Sequence, residues 1–236
     1  MKLESKHHYN QLKIAFDLLK KFDGNRILDL GCGNGILEQY FTNHQVIGVD
    51  ISEAAINEAM QNAPWAKYIL ADIRNLPLED KCVDNVAMIG VLGGLPEGEE
   101  VTAFREAKRV LVEGGHLVIL VSQKRQPYSL LTPDRLYHGR KWRHFSIQVL
   151  KKQLMENGFK IKKVIFVGGF LSLGFSLLNF YWNAGWRFLT KWAIGKVFVP
   201  SLPYRFLNKI ESLEFRPFRS KLRNFARLSF VVAQKT

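Results

Sequence analysis

Between Ile27 and Gly35 the chain reads ILDLGCGNG, an aspartate and three alternating glycines directly behind a short apolar run; a second run, VIGVD, follows and ends on Asp50. A chain that turns sharply out of a strand and lets a ligand lie against its backbone needs positions without side chains, which Gly31, Gly33 and Gly35 supply. The pattern predicts a helix over about 35–42 whose N-terminus points at that ligand. Asp50, at the tip of the next strand, suits an acceptor for two ribose hydroxyls. The pairing reads as a nucleotide-type cofactor site, and no other feature constrains the chain as strongly.

The spacing here is G-x-G-x-G behind an aspartate, whereas the dinucleotide fingerprint is G-x-G-x-x-G. Glu38, near the start of the expected helix, would also repel a pyrophosphate, so the ligand is not expected to be a dinucleotide. At this point the chain resembles the class I S-adenosylmethionine-dependent methyltransferases, whose D-x-G-x-G-x-G hallmark is matched by Asp29, Gly31, Gly33 and Gly35. The resemblance implies S-adenosyl-L-methionine as cofactor, with Gly31, Gly33 and Gly35 at its methionine end. It further implies Asp50 on the ribose with Ile51 against the adenine, and Asp72 with Ile73 at the adenine amino group. Cys32 inside the turn and Gly90 after the fourth strand are counted with this set.

Composition agrees with one domain: 236 residues, 47% of them hydrophobic, can bury a substantial core without splitting. Periodicity predicts helices near 5–21, 35–42, 52–62, 98–112 and 146–157, and strands near 26–30, 45–50, 67–71, 84–89 and 115–121. Gly24 closes the first helix, Ser52 and Glu53 open another, and Gly114–Gly115 turn into the fifth strand. FKIKKVIFV at 159–167 alternates only partly, as an edge strand would, and LSFVVAQ at 228–234 looks like the family's last, antiparallel strand. The expectation is an α/β fold: a doubly wound, mostly parallel seven-stranded sheet. Residues 1–168 and 227–236 form the cofactor domain, and 169–226 a hydrophobic, basic insertion serving as lid or membrane contact.

Cys32 and Cys82 give neither a disulfide framework nor a zinc pattern, and no metal is expected. MKLESKHHYN lacks an apolar signal-peptide core, so a cytoplasmic protein is expected.

Charge divides the chain. Residues 1–120 hold 12 Lys or Arg against 17 Asp or Glu, whereas residues 121–236 hold 22 against 4. Such asymmetry points to an anionic partner for the second half, a membrane or a nucleic acid. Val164 to Trp186 is 23 residues without a charge, long enough to span a bilayer. Its start coincides with a strand, it contains Asn179 and Asn183, and a single crossing would strand the last strand on the wrong side, so a re-entrant or interfacial helix fits better. From Arg187 to Arg227 ten basic residues face two acids among many aromatics, a mixture that suits lipid headgroups and would also suit RNA. The alternative is a helical lid whose apolar side chains are core and whose cations are solvated.

Methyl transfer from a sulfonium depends mainly on alignment, and a general base is needed only for a protonated, weakly acidic acceptor. No catalytic dyad stands out. The weak candidates for a base or orienting group are His138 and His144 in the loop HGRKWRHF, and Tyr9 ahead of the first strand; each could equally be surface or packing. After the fourth strand, where many enzymes that methylate base or amide nitrogen carry Asn or Asp followed by Pro-Pro-Tyr, this chain has Ile89, Gly90, Val91, Leu92, Gly93 and Gly94. That departure favours an oxygen or carbon of a lipid-like or other apolar small molecule, met at the inner face of a membrane. An RNA methyltransferase gripping with the basic half, and a membrane-associated subunit that keeps the fold without turnover, are the alternatives. Oligomeric state is not readable from these residues.

Overall fold

The structure, a computed structural model, describes residues 3–124, 136–137, 140–167 and 228–236, with side chains from residue 11 onward except at 136, 137, 140 and 141. Five parallel strands come first: β1 (Arg26–Leu30), β2 (Gln45–Asp50), β3 (Lys67–Leu70), β4 (Val83–Ile89) and β5 (Leu111–Ser122). β6 (Phe159–Val167) and β7 (Leu228–Lys235) complete a sheet of order β3-β2-β1-β4-β5-β7-β6. β7 runs antiparallel to both β5 and β6, so β6 is an edge strand. A short hairpin pairs Leu136–Tyr137 with Arg140–Lys141.

Alternation of side chains along the strands gives the sheet two buried faces. One face, with Leu28, Val86, Leu117 and Val231, is covered by α3 (Glu100–Val110) and α4 (Ile147–Glu156) through Phe104, Ala107, Leu150 and Leu154. The other, with Ile27, Ala87, Val118 and Phe230, is covered by α1 (Leu3–Leu19) through Leu12, Ala15 and Leu18. α2 (Glu53–Asn62) starts on the expected cap, the Ala55 N–H donating to Ser52 Oγ at 3.3 Å.

Two expectations change. The fifth strand begins at Leu111 rather than near 115, because Leu111 pairs with Val83 before an irregularity restores register at His116 opposite Asn85. The helix expected over 35–42 does not form. Its place is taken by a single 3₁₀ turn, Glu38–Tyr40. Leu37 and Phe41 are both drawn into the core, Phe41 edge-on to Phe16 of α1, and the chain must reach Gln45 within a few residues. A tight i→i+3 bond, Phe41 N–H to the Glu38 carbonyl at 2.8 Å, meets that geometry where an α-helix would not. The turn after Gly35 therefore presents no helix dipole to a ligand.

Candidate cofactor site

The order of strands reverses between β1 and β4, and the crevice beyond their carboxyl ends is where an open α/β sheet binds ligands. The glycine turn fills this position. Gly31 and Cys32 donate their N–H groups to the Val49 carbonyl at 2.7 and 3.1 Å, which ties the turn to β2. Gly33 donates to Asp50 Oδ2 at 3.0 Å, and Ser52 donates to Asp50 Oδ1 at 2.9 Å, so one carboxylate braces both the turn and the start of α2.

The three glycines do different work. A Cβ at Gly31 would run into Val91, and one at Gly35 would lie 2.9 Å from Ala59, so these two let elements close on one another. A Cβ at Gly33 or at Gly90 would meet no atom of the described residues within 4 Å, although both have positive φ. These two glycines border a cradle that a ligand can enter.

Ile51, beside the cradle, is 70% exposed, an apolar side chain offered to a flat apolar group. Asp72 lies past β3, its carboxylate held by Arg74, which in turn reaches Glu99. The Arg74 hydrogen bonds hold the Asp72 carboxyl below the usual carboxylate range. Ile73 turns into the core at 5% exposure and lines no surface. Cys32 is buried, and desolvation together with the charges of Asp29, Glu38 and Asp50 pushes its thiol up, which keeps it un-ionised. His144 is exposed just ahead of α4. His138 lies outside the described residues, as does the side chain of Tyr9. Among the described residues no group of three His, Cys, Asp or Glu could hold a metal.

Beneath the turn, Asp29 and Glu38 are both buried carboxylates. Asp29 on β1, Gly48 on β2 and Tyr68 on β3 stand opposite one another in register, and Glu38 lies over Gly48, where a Cβ would come within 2.9 Å of its Oε1. Asp29 Oδ1 and both Glu38 carboxylate oxygens have no hydrogen-bond partner among the described residues. Desolvation pushes the Glu38 carboxyl up to about 7. Asp29 is raised well above the usual range, first by burial and then by the charges of Glu38 and Asp50. The sequence reading passed over Glu38 except as a repulsive charge. A glycine inside the strand VIGVD was the available signal, since glycine in a strand interior marks close approach of another group.

Two further residues escaped it. Trp142 lies against Gly93, where no Cβ would fit, and Arg143 pairs with the buried Glu100 at 3.0 Å while donating to the Pro96 carbonyl at 2.8 Å. Together they fix the segment before α4 beside the loop that follows β4.

A donor set of carboxylates with orphaned oxygens, a cradle bordered by Gly33 and Gly90, and Asp50 with Ile51 at its side fits a cofactor that carries positive charge, a ribose and an adenine. Comparison with known proteins agrees. A methyltransferase domain model matches residues 28–119. Residues 28–119 thus carry a methyltransferase domain, and the sheet has the fold of S-adenosylmethionine-dependent methyltransferases. S-adenosyl-L-methionine is the cofactor that this family and fold imply.

The ubiquinone biosynthesis O-methyltransferase of Leptothrix cholodnii is 28% identical over 53% of this chain and 56% of its own length. The trans-aconitate 2-methyltransferase of Variovorax paradoxus is 31% identical over 43% of this chain and 40% of its own. The chain spans between about a third and just over half of the first curated relatives it matches. The structure of an S-adenosylmethionine-dependent methyltransferase from Archaeoglobus fulgidus superposes with a TM-score of 0.64 at 18% identity, covering 95% of this chain and 94% of that one, a likeness of fold.

Proposed function

We propose that the protein transfers a methyl group from S-adenosylmethionine to an oxygen or carbon of a lipid-like or other apolar small molecule at a membrane surface. The observation that carries the reading is the cradle at the sheet's switch point, bordered by Gly33 and Gly90 and flanked by Asp50 and Ile51. When bound, the cofactor supplies a sulfonium methyl with a neutral thioether as leaving group. The chain's contribution is then alignment: the braced turn and Asp50 hold the donor in one pose. Asp72, though engaged by Arg74, remains the residue assigned to the adenine edge.

An apolar acceptor is supported by the loop after β4, where the part-exposed Val91 and the exposed Gly94, rather than an amide or carboxylate, reach the surface, while Leu92 is buried in the core and Gly93 packs against Trp142. The Leptothrix relative, named for ubiquinone biosynthesis, is consistent with such an acceptor. In this reading residues 169–226 are the insertion that meets the membrane from its cytoplasmic side, between strands that leave the sheet at Val167 and rejoin it at Leu228. No described helix is long and apolar enough to cross a membrane.

Mass spectrometry of lipid extracts incubated with the protein and methyl-labelled S-adenosylmethionine tests the acceptor, with RNA extracts run in parallel. Label in a lipid or quinone-like species is expected, and label confined to RNA would overturn the acceptor class. Flotation of the full chain with anionic but not zwitterionic vesicles is expected; no flotation with either removes the membrane from the proposal.

A further inference from the structure

Among the described residues, the carboxylates below the glycine turn have no cation to meet. None of the ion pairs among the described residues involves Asp29, Glu38 or Asp50. The described groups around Glu38 are themselves acidic or neutral: Asp29 from β1, Cys32 from the turn and Tyr68 from β3, with Asp50 at the tip of β2 acting on Asp29 and Cys32. Tyr68 donates its hydroxyl to the Ala63 carbonyl at 3.2 Å rather than to Glu38. On α2, Glu58 accepts from Asn34 at the exposed side of the turn. On α1, Asp17 and Lys20 pair with each other in solvent at 3.9 Å.

Two ionised carboxylates cannot stay buried side by side without a counter-charge, because desolvation and mutual repulsion both oppose it. Either a proton or a cation must be present. Gly48, by lacking a side chain, leaves room for Glu38 to lie in this row. The Gly33 position, with no atom of the described residues above it, leaves the adjoining cradle to the ligand.

We propose that Asp29 and Glu38 form a proton-exchanging seat for the cationic methionine end of the cofactor. The pair carries a proton while the protein is alone and releases it to solvent when the cation enters. The inference rests on the methyltransferase reading of this cradle. One O–H bond breaks, the proton goes to buffer, and the positive charge of the ligand replaces it beside the same oxygens. Glu38 is fully buried and acts through Asp29 and the turn, so it is a positioning residue. The raised carboxyl of Glu38, about 7, puts the exchange within reach of ordinary working pH. Binding that expels a proton tightens as pH rises, by up to about tenfold per unit while the pair is still protonated, and levels off above that range.

The test is titration calorimetry of the full chain with S-adenosylmethionine, in buffers of different ionisation enthalpy between pH 6 and 8. Release of a measurable fraction of a proton is expected near pH 6.5, shrinking as pH rises. The neutral analogue 5′-methylthioadenosine, which lacks the amino-acid end and the sulfonium, should release none. In Glu38→Gln the release should fall and the affinity should lose its dependence on pH. Binding of S-adenosylmethionine with no proton release across this range in the unaltered protein overturns the proposal and leaves the methyltransferase reading standing. Equal release with the neutral analogue, or an unchanged proton count in Glu38→Gln, overturns it as well. Absence of any S-adenosylmethionine binding overturns the underlying reading and this inference with it.

Discussion

At the ends of the strands and along α3, carboxylates meet guanidinium groups: Asp84 with Arg26 at 2.6 Å, Glu106 with Arg109 at 2.8 Å and Glu100 with Arg143 at 3.0 Å. Below the glycine turn, Asp29 and Glu38 are removed from water and face no cation among the described residues. The paired acids are held low: Asp84 and Glu106 by hydrogen bonds from their arginines, and Glu100 because Arg143 and Gln153 outweigh the burial that works to raise it. The unpaired acids are pushed up by desolvation. Pairing within the chain fastens segments together, whereas acids left without a partner keep their charge in reserve for something that arrives from outside.

The contrast can be broken from its paired side first. Glu100→Ala leaves Arg143 partly buried against the carbonyls of Leu95 and Pro96, with its only anionic partner among the described residues gone. Allowing for the exposed portion of Arg143, a loss of about 2–3 kcal/mol of unfolding free energy is expected from urea denaturation. A change below measurement error would mean that the segment before α4 is held by Trp142 instead.

On the ligand side, Asp50→Ala removes the acceptor for Gly33 and Ser52 together with the group assigned to the ribose. Calorimetry should show S-adenosylmethionine affinity weakened roughly thirtyfold, on the order of 2 kcal/mol for a charge-assisted contact. Unchanged affinity would take Asp50 out of the site.

The unpaired acids should also leave a signature in the protein alone. A carboxyl raised on folding binds its proton more tightly in the native than in the unfolded chain. Its contribution to stability is therefore fully present below the ordinary glutamate range and is lost as pH rises through about 7. Thermal or urea unfolding should show stability falling between about pH 5 and 8 by on the order of 1–2 kcal/mol. Glu38→Gln or saturating S-adenosylmethionine should flatten that slope, and a slope unchanged by both would break the comparison. The paired acids titrate at lower pH and act in the opposite sense, losing their contribution as pH falls.

The smallest effect belongs to Arg74→Ala. Arg74 is one-third exposed and serves two partly exposed acids. Its removal should cost under about 1 kcal/mol of stability by urea denaturation, as exposed pairs do. Cofactor affinity measured by calorimetry should shift modestly once Asp72 is released from it.

The strand ladder was legible because period-2 apolar runs bounded by glycine and aspartate have few alternatives, and Ser52 marked a helix start by a mechanism that acts locally; Gly24, expected to close α1, instead lies five residues past its end at Leu19, packed against Asp84. The stretch after Gly35 was not, since Ile36, Leu37 and Phe41 fit a helical pattern equally well. What decided it was the demand of α1 and the sheet for Leu37 and Phe41, a tertiary requirement with no local trace. Asp29, Asp50 and the glycines were readable as a set from their spacing. Glu38 and Glu100 were not, because whether an acid is paired or orphaned depends on what lies opposite it across more than forty residues of chain in the case of Arg143. His138 and the stretch 169–226, expected from sequence to serve the acceptor, lie outside the described residues.

β7 lies between β5 and β6, and it is the last of the strands to leave the ribosome. Among the described strands, β5 ends the parallel half with a bare row of amides and carbonyls until β7 arrives, and β6 has no other strand to bond to. Closing the gap brings together β6 and β7, which are about sixty residues apart in the chain, and the entropy of that long-range closure comes due before any of the new ladder is gained. Assembly of this sheet is thus ordered in time: the strand next to its edge is added after both of its neighbours, and until then those neighbours keep unsatisfied edges for the segment that joins them.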